Sequence, residues 1–262
     1  MCRSKRLWSW RRSWRICLTA SLAFVLWNTL PNPLSRAGDA PNPQARRGQT
    51  TDDQRHIWNF DAEKAGESPA GFMAVRLGDG PASQWKIEAD PQSPSPPNRL
   101  GQDAPCLSSE CLHVLLFEGM AYDYPDITVR LRTIGDGTKT TTGGIVFAAQ
   151  DARNFYAALV DLTMETVDVV RVINGEITVI GHEVAKRKPT TWHYLRAQHN
   201  TNLSKDYVEV SFDGQVVFST WDTNLNAGRI GLATRGDGPV AFDNLFAIQL
   251  FSQRPLSPPA AY

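Results

Sequence analysis

This chain of 262 residues lacks long hydrophobic runs, helical apolar stripes and an excess of charge of either sign. No segment longer than about ten residues carries apolar side chains at helical spacing with capping residues, which excludes a helix bundle and an α/β fold. Basic and acidic residues number 27 each, so the formal net charge is zero. Past the first 37 residues the one basic cluster is Lys186-Arg187-Lys188, too few charges to track phosphates along a duplex, so no nucleic-acid partner is expected. Cysteine is scarce. Of the four, Cys2 and Cys17 fall in the N-terminal stretch, leaving Cys106 and Cys111. With no Cys or His pair at matching spacing, a disulfide is expected rather than zinc. Closing so short a loop stabilises by about 2 kcal/mol and pins a local turn. There is no Gly-x-Ser-x-Gly elbow, and the five His are scattered, so neither a serine nucleophile nor a histidine dyad has a signature.

What is present begins with an address. Arg3, Lys5, Arg6, Arg11, Arg12 and Arg15 precede an apolar run from Ile16 to Trp27, and Ser35-Arg36-Ala37 offers small residues for cleavage. The run is short for a bilayer span. Residues 1–37 are therefore expected to be a signal peptide, with an uncleaved anchor as the alternative. Arg11-Arg12 leaves twin-arginine and general export both open. A Pro-, Asn- and Gly-rich spacer follows over 38–54, then a domain over 55–251 and a Pro-rich tail over 252–262. The expected location is periplasmic or secreted, with no membrane span after signal removal.

The domain reads as short strands rich in β-branched and aromatic residues, bounded by Gly, Asn, Asp and Pro. Asp126–Thr133 alternates cleanly, placing Ile127, Val129 and Leu131 on one face and Thr128, Arg130 and Arg132 on the other. Residues 143–149 and 154–160 are apolar on both parities, which suits the middle of packed layers. Asn174-Gly175 predicts a type I′ hairpin setting Val172 against Ile177 and Val170 against Val179. Asp213-Gly214 predicts a second, with Val217 against Val210 and Phe218 beside Glu209; a longer loop would flip Phe218. Pro91–Pro97 reads as a surface loop, because its prolines lack the donors a central strand needs. The fold class is all-β, a two-sheet antiparallel jelly-roll sandwich.

Several phrases occur in a familiar order: Gly143-Gly-Ile-Val-Phe147, Gln150-Asp-Ala-Arg-Asn-Phe-Tyr156, Asn174-Gly175, Trp192-His193, Asp213-Gly214, Ala227-Gly-Arg-Ile-Gly-Leu232 and Phe242-Asp-Asn-Leu245. The chain resembles the concanavalin A-like lectin/glucanase jelly rolls, within them the 3-keto-disaccharide hydrolase domains, and more distantly laminin G-like domains. The resemblance implies a curved β-sandwich whose usual ligand is carbohydrate. Where the hydrolase domains carry Arg, Asn, Glu and Asn, this chain has Leu159, Asp161, Met164 and Thr166. The Glu-x-Asp-x-x-Glu run of the glucanases is absent, and Asp161, Glu165 and Asp168 are expected around a strand connection.

The expectation is thus a carbohydrate-binding domain without a recognisable catalytic motif. The alternatives are a hydrolase of 3-keto-disaccharides or related sugars, and a structural or adhesive envelope module. The candidate ligand face combines Arg130 and Arg132 with the turn Asp151, Arg153 and Asn154 and with Tyr156, provided both segments lie in one sheet. The alternative there is arginines paired with nearby carboxylates. Trp221 is the expected exposed tryptophan. First and last strands are expected to pair, bringing Asp61 towards Asp243 as candidate calcium ligands, or simply as polar strand ends. The sugar, the presence of catalysis and the oligomeric state are left open.

Overall fold

Alternating apolar residues at hairpin spacing become, among the described residues, fifteen strands: β1 (Arg55–Trp58), β2 (Phe72–Leu77), β3 (Trp85–Ala89), β4 (Asn98–Gln102), β5 (Leu112–Phe117), β6 (Pro125–Thr133), β7 (Thr141–Asp151), β8 (Asn154–Asp161), β9 (Thr166–Ile173), β10 (Glu176–Val184), β11 (His193–Asn202), β12 (Lys205–Phe212), β13 (Gln215–Trp221), β14 (Arg229–Gly236) and β15 (Val240–Gln249). The computed structural model describes residues 55–135, 138–186, 191–202, 205–222 and 224–250. The expected signal, spacer and tail lie outside them, as do Arg187 and Lys188. No helix among the described residues is long and apolar enough to cross a membrane.

The strands form two antiparallel sheets. One runs β13-β12-β11-β6-β15-β4-β3 with β1 also on β15, and the other runs β10-β9-β8-β7-β14-β5-β2. Ile127, Val129, Leu131, Leu195, Ile145, Phe147, Ala158 and Val160 meet between the sheets, none more than 1 % exposed. Each such Val, Leu or Phe stabilises the fold by roughly 1.5–3 kcal/mol. The seven-stranded sheet buries a second cluster on its other face, including Val114, Leu116, Val146, Ala157, Leu159, Val170 and Val172. That is why β7 and β8 are apolar on both parities.

The first hairpin has the expected register, Ile177 opposite Val172 and Val179 opposite Val170. Asn174 and Gly175 both have positive φ, at 53° and 87°, as a type I′ turn requires. The second departs from expectation. Phe212 pairs with Gln215 and Ser211 with Val216, but the register then shifts and Val210 meets Phe218 instead of Val217. This bulge turns Phe218 away from Glu209 and packs it against the core. Strand β4, directly after the prolines, was hidden because its Asn-Arg-Leu-Gly-Gln run lacks β-branched residues.

β1 pairs with β15 as expected, Trp58 opposite Leu245. One edge of β15 is shared, with Val240–Phe242 on β4 and Leu245–Ile248 on β1. Asp243 and Asn244 fall where the partner changes, at a register shift towards β6, with Asn244 at φ 49°.

Candidate functional site

The outer face of the eight-stranded sheet is set by the parity that sends Val129, Leu131 and Leu195 inward. It presents Thr128, Arg130 and Arg132 from β6 and Tyr194, Arg196 and Gln198 from β11, with Tyr194 opposite Arg130 and Arg196 opposite Thr128. The Arg130 guanidinium lies over the Tyr194 ring and that of Arg132 over Trp192, each 4.8 Å from the ring centre. Such contacts contribute about 0.5–1 kcal/mol at exposed sites. Trp192 is steadied by its indole N–H, which donates to the Gln92 carbonyl at 3.2 Å. Further along the face, Tyr207 meets Trp221 edge-on, with centroids 5.7 Å apart, and Trp221 is 57 % exposed, as expected.

The two arginines differ. Arg132 pairs with Asp90, which also lies 3.4 Å from Arg99 Nε, while Arg99 Nη2 reaches Glu88 at 2.7 Å. Arg196 forks onto Asp126 with both bonds at 2.7 Å. Arg130 is exposed and has no carboxylate partner among the described residues. Its donors are free for a ligand, and the Tyr194 ring beneath holds them in place.

Asp61 and Asp243 do come together, through Ser95. The Ser95 backbone N–H donates to Asp243 Oδ2 at 2.7 Å and its hydroxyl to Asp61 Oδ2 at 2.7 Å. Asn98 N–H donates to Asp61 Oδ1 at 3.2 Å and Asn244 N–H to Asp243 Oδ1 at 2.6 Å. All four carboxylate oxygens therefore already face a protein donor. The carbonyls of Phe60, Asp61 and Glu63, which could complete a calcium shell, accept Asn98 Nδ2 at 3.3, 3.4 and 2.8 Å. These residues do not fit a calcium ion, because an amide nitrogen stands where the cation would need its oxygens. The arrangement latches the 90–97 loop and the turn after β1 onto the shared edge of β15. Burial, with a lesser part from the Asp61 and Asp90 carboxylates, pushes Asp243 up to about 6.

The other half of the candidate face lies elsewhere. Arg130 and Arg132 belong to the eight-stranded sheet, whereas Asp151, Arg153, Asn154 and Tyr156 belong to the seven-stranded one, so the convergence does not occur. Tyr156 points into the core, fully buried and stacked on Phe147. Its hydroxyl donates to Asp222, which also takes Arg171 Nη1 at 2.6 Å, and accepts from Leu225 N–H at 3.2 Å. Burial, then the Asp222 bond, pushes the phenol's pKa up. Asp151 accepts from Arg153 N–H and Asn154 Nδ2, and Asn154 Oδ1 accepts from Asn174 N–H at 2.9 Å, tying two hairpin ends together.

Cys106 and Cys111 are disulfide-bonded, with Cα atoms 5.5 Å apart. His113 lies close enough to form a metal-ligating trio with them, but the sulfurs are joined to each other. Asp161 Oδ1 accepts Thr163 and Met164 N–H groups in the β8–β9 connection, as read from sequence, whereas Asp168 holds His182 Nδ1 at 2.6 Å.

No family model matches the sequence, and no curated protein matches it. Solved structures do. The carbohydrate binding module CBM66 from Bacillus subtilis superposes with a TM-score of 0.52 at 18 % identity, covering 68 % of this chain and 96 % of that one. The Emp47p carbohydrate recognition domain does so at 0.52 and 11 % identity, covering 78 % and 99 %. The fold is a concanavalin A-like jelly roll. In this concanavalin A-like frame the rings of Trp192 and Tyr194 were missed from sequence. The available signal was their shared parity with Arg196, one strand from Arg130.

Proposed function

We propose that this domain is an exported carbohydrate-binding module that holds a saccharide on the outer face of its eight-stranded sheet. The observation that carries the reading is Arg130, an exposed guanidinium without a carboxylate partner among the described residues, seated over Tyr194 and beside the Arg132–Trp192 pair. Planar forks, amide and hydroxyl groups and aromatic rings on one surface suit a hydroxyl-rich ligand. Two proteins sharing the fold, a carbohydrate binding module and a carbohydrate recognition domain, agree with that chemistry. Export is supported by the basic and apolar N-terminal stretch and by the disulfide, which persists in an oxidising compartment.

Binding without turnover is the expected activity. Among the described residues the two carboxyl groups pushed upward, Glu88 and Asp243, do not form an acid pair in a cleft: Glu88 is held by Arg99 and Asp243 is fully buried in the latch. The test is a screen of purified protein against a glycan array and a set of 3-keto-disaccharides, scoring retention and product together. Retention without product supports the module. Release of product from a 3-keto-disaccharide would replace it with the hydrolase reading, and retention of no glycan would remove both.

A further inference from the structure

The disulfide closes one wall of a cavity that the sequence did not indicate. The cavity has a volume of about 480 Å³ and lies at the rim of the seven-stranded sheet, on the other sheet from Arg130. Its polar lining comes from Ser109, Thr140, Thr142, Asp161, Arg235 and Asp237. Thr142 stands between Asp161 and Arg235 in the sheet register, so three adjacent strands, β8, β7 and β14, each contribute one side chain.

The walls are fixed before any ligand arrives. Cys106 and Gly236 exchange two backbone hydrogen bonds, at 2.7 and 2.9 Å, and the Cys106–Cys111 bond ties off the intervening loop. Gly236 has φ 102°, and a Cβ there would lie 2.2 Å from the Thr140 carbonyl oxygen, so the close approach of β14 to the 139–141 segment needs glycine. Arg235 is held at the rim, Nη1 at 3.4 Å from the Ser109 carbonyl and Nη2 at 3.6 Å from Asp168.

Three side chains facing the cavity keep polar capacity for a ligand. The Thr142 side chain is 3 % exposed yet has no hydrogen-bond partner among the described residues. The Asp237 carboxylate and Asp161 Oδ2 have none either, since Asp161 uses only Oδ1 in its turn. The Thr142 oxygen is not sealed from solvent, so a ligand group in the cavity can reach it and bond it. The chemistry of the lining selects the class. An anion would meet two carboxylates, a simple cation would meet the guanidinium, and an apolar ligand would strand the hydroxyl and both acids. A neutral ligand with adjacent hydroxyls can donate to the carboxylates and accept from Arg235 and Thr142.

We propose that this cavity is a second binding site, for the terminal residue of a neutral saccharide. The ligand class rests on the carbohydrate reading above; the location does not. The experiment is a titration of ¹⁵N-labelled full-length protein with cellobiose, maltose and trehalose, following amide shifts. Expected are shifts at Ser109, Thr142 and Asp237, weakened about tenfold in affinity by Thr142→Val or Asp237→Asn, while any shifts near Tyr194 are the same in variants and wild type. Asp237 lies in a turn, so its variant keeps the test valid should Thr142→Val fold poorly. Wild-type shifts confined to the Arg130 and Tyr194 face would overturn the cavity and leave the carbohydrate reading standing. Shifts nowhere in the wild type would overturn both.

Discussion

The Arg130 guanidinium carbon lies 4.8 Å from the centre of the Tyr194 ring, on a face where the neighbouring arginines Arg132 and Arg196 are held by carboxylates. Arg130→Ala should therefore weaken glycan binding by about tenfold or more while changing stability by less than about 1 kcal/mol. Tyr156→Phe should do the reverse. It removes one of the donors to Asp222 and leaves the buried Leu225 N–H without its acceptor, at about 1–3 kcal/mol, and leaves affinity unchanged. Affinity by calorimetry and stability by urea unfolding, on both variants, check the pair. Lost binding in Tyr156→Phe with normal Arg130→Ala would move the site to the other sheet.

Asn98 holds three carbonyls with one amide, and that gives a prediction about metal. Thermal unfolding should be the same in calcium and in a chelator. Asn98→Ala should lower stability by about 1–3 kcal/mol in both, because the carbonyls of Asp61 and Glu63 lose their Asn98 donor and that of Phe60 keeps only the Glu63 N–H. A melting point that rises with calcium in the wild type would contradict this account of the latch.

Asp243 should titrate near 6. Its pKa is higher folded than unfolded, where it is about 4, so the folded form retains the proton between those values. Stability from this group is full below that window and falls as pH rises through it. Asp243→Asn should flatten that part of the stability–pH curve. An unchanged slope between about pH 4 and about pH 6 would assign the dependence to other groups.

His199 is 1 % exposed between the sheets, near Tyr124, Phe147 and Tyr156, and neither ring nitrogen has a hydrogen-bond partner. Burial lowers its pKa, against Asp206 and Asp222, which raise it. The unfolded chain then binds the proton more readily, so stability is lost as pH falls through about 6.5. His199→Leu should stabilise by about 1–3 kcal/mol, more at acidic than at alkaline pH. Equal unfolding curves for variant and wild type at both pH values would reject it.

Legibility followed periodicity. Ile127, Val129 and Leu131 told inside from outside on β6 because the other parity was polar, and the Asn174-Gly175 turn carried its register with it. On β8 both parities are apolar, so nothing local showed that Tyr156 faces inward; its partner Asp222 is 66 residues away. Sheet membership was equally hidden. β6 and β8 are close in sequence, but β6 pairs with β11 and β15, and strand order depends on contacts that no short window contains. The bulge that turned Phe218 inward left no mark in its own residues. The disulfide was readable from two cysteines, whereas the cavity it walls needed Thr142, Asp161 and Arg235 brought together from three strands.

The shared edge of β15 has a consequence in time. This strand, at residues 240–249, is the central plank between β6 and both β4 and β1, so segments near residues 55, 100 and 130 must wait for it. Contacts so distant along the chain form slowly. Until β15 arrives, β4 and β6 have bare edges, and bare edges invite pairing with another molecule. A chain stopped short of residue 240 should therefore not yield a smaller, weaker binder. It should aggregate.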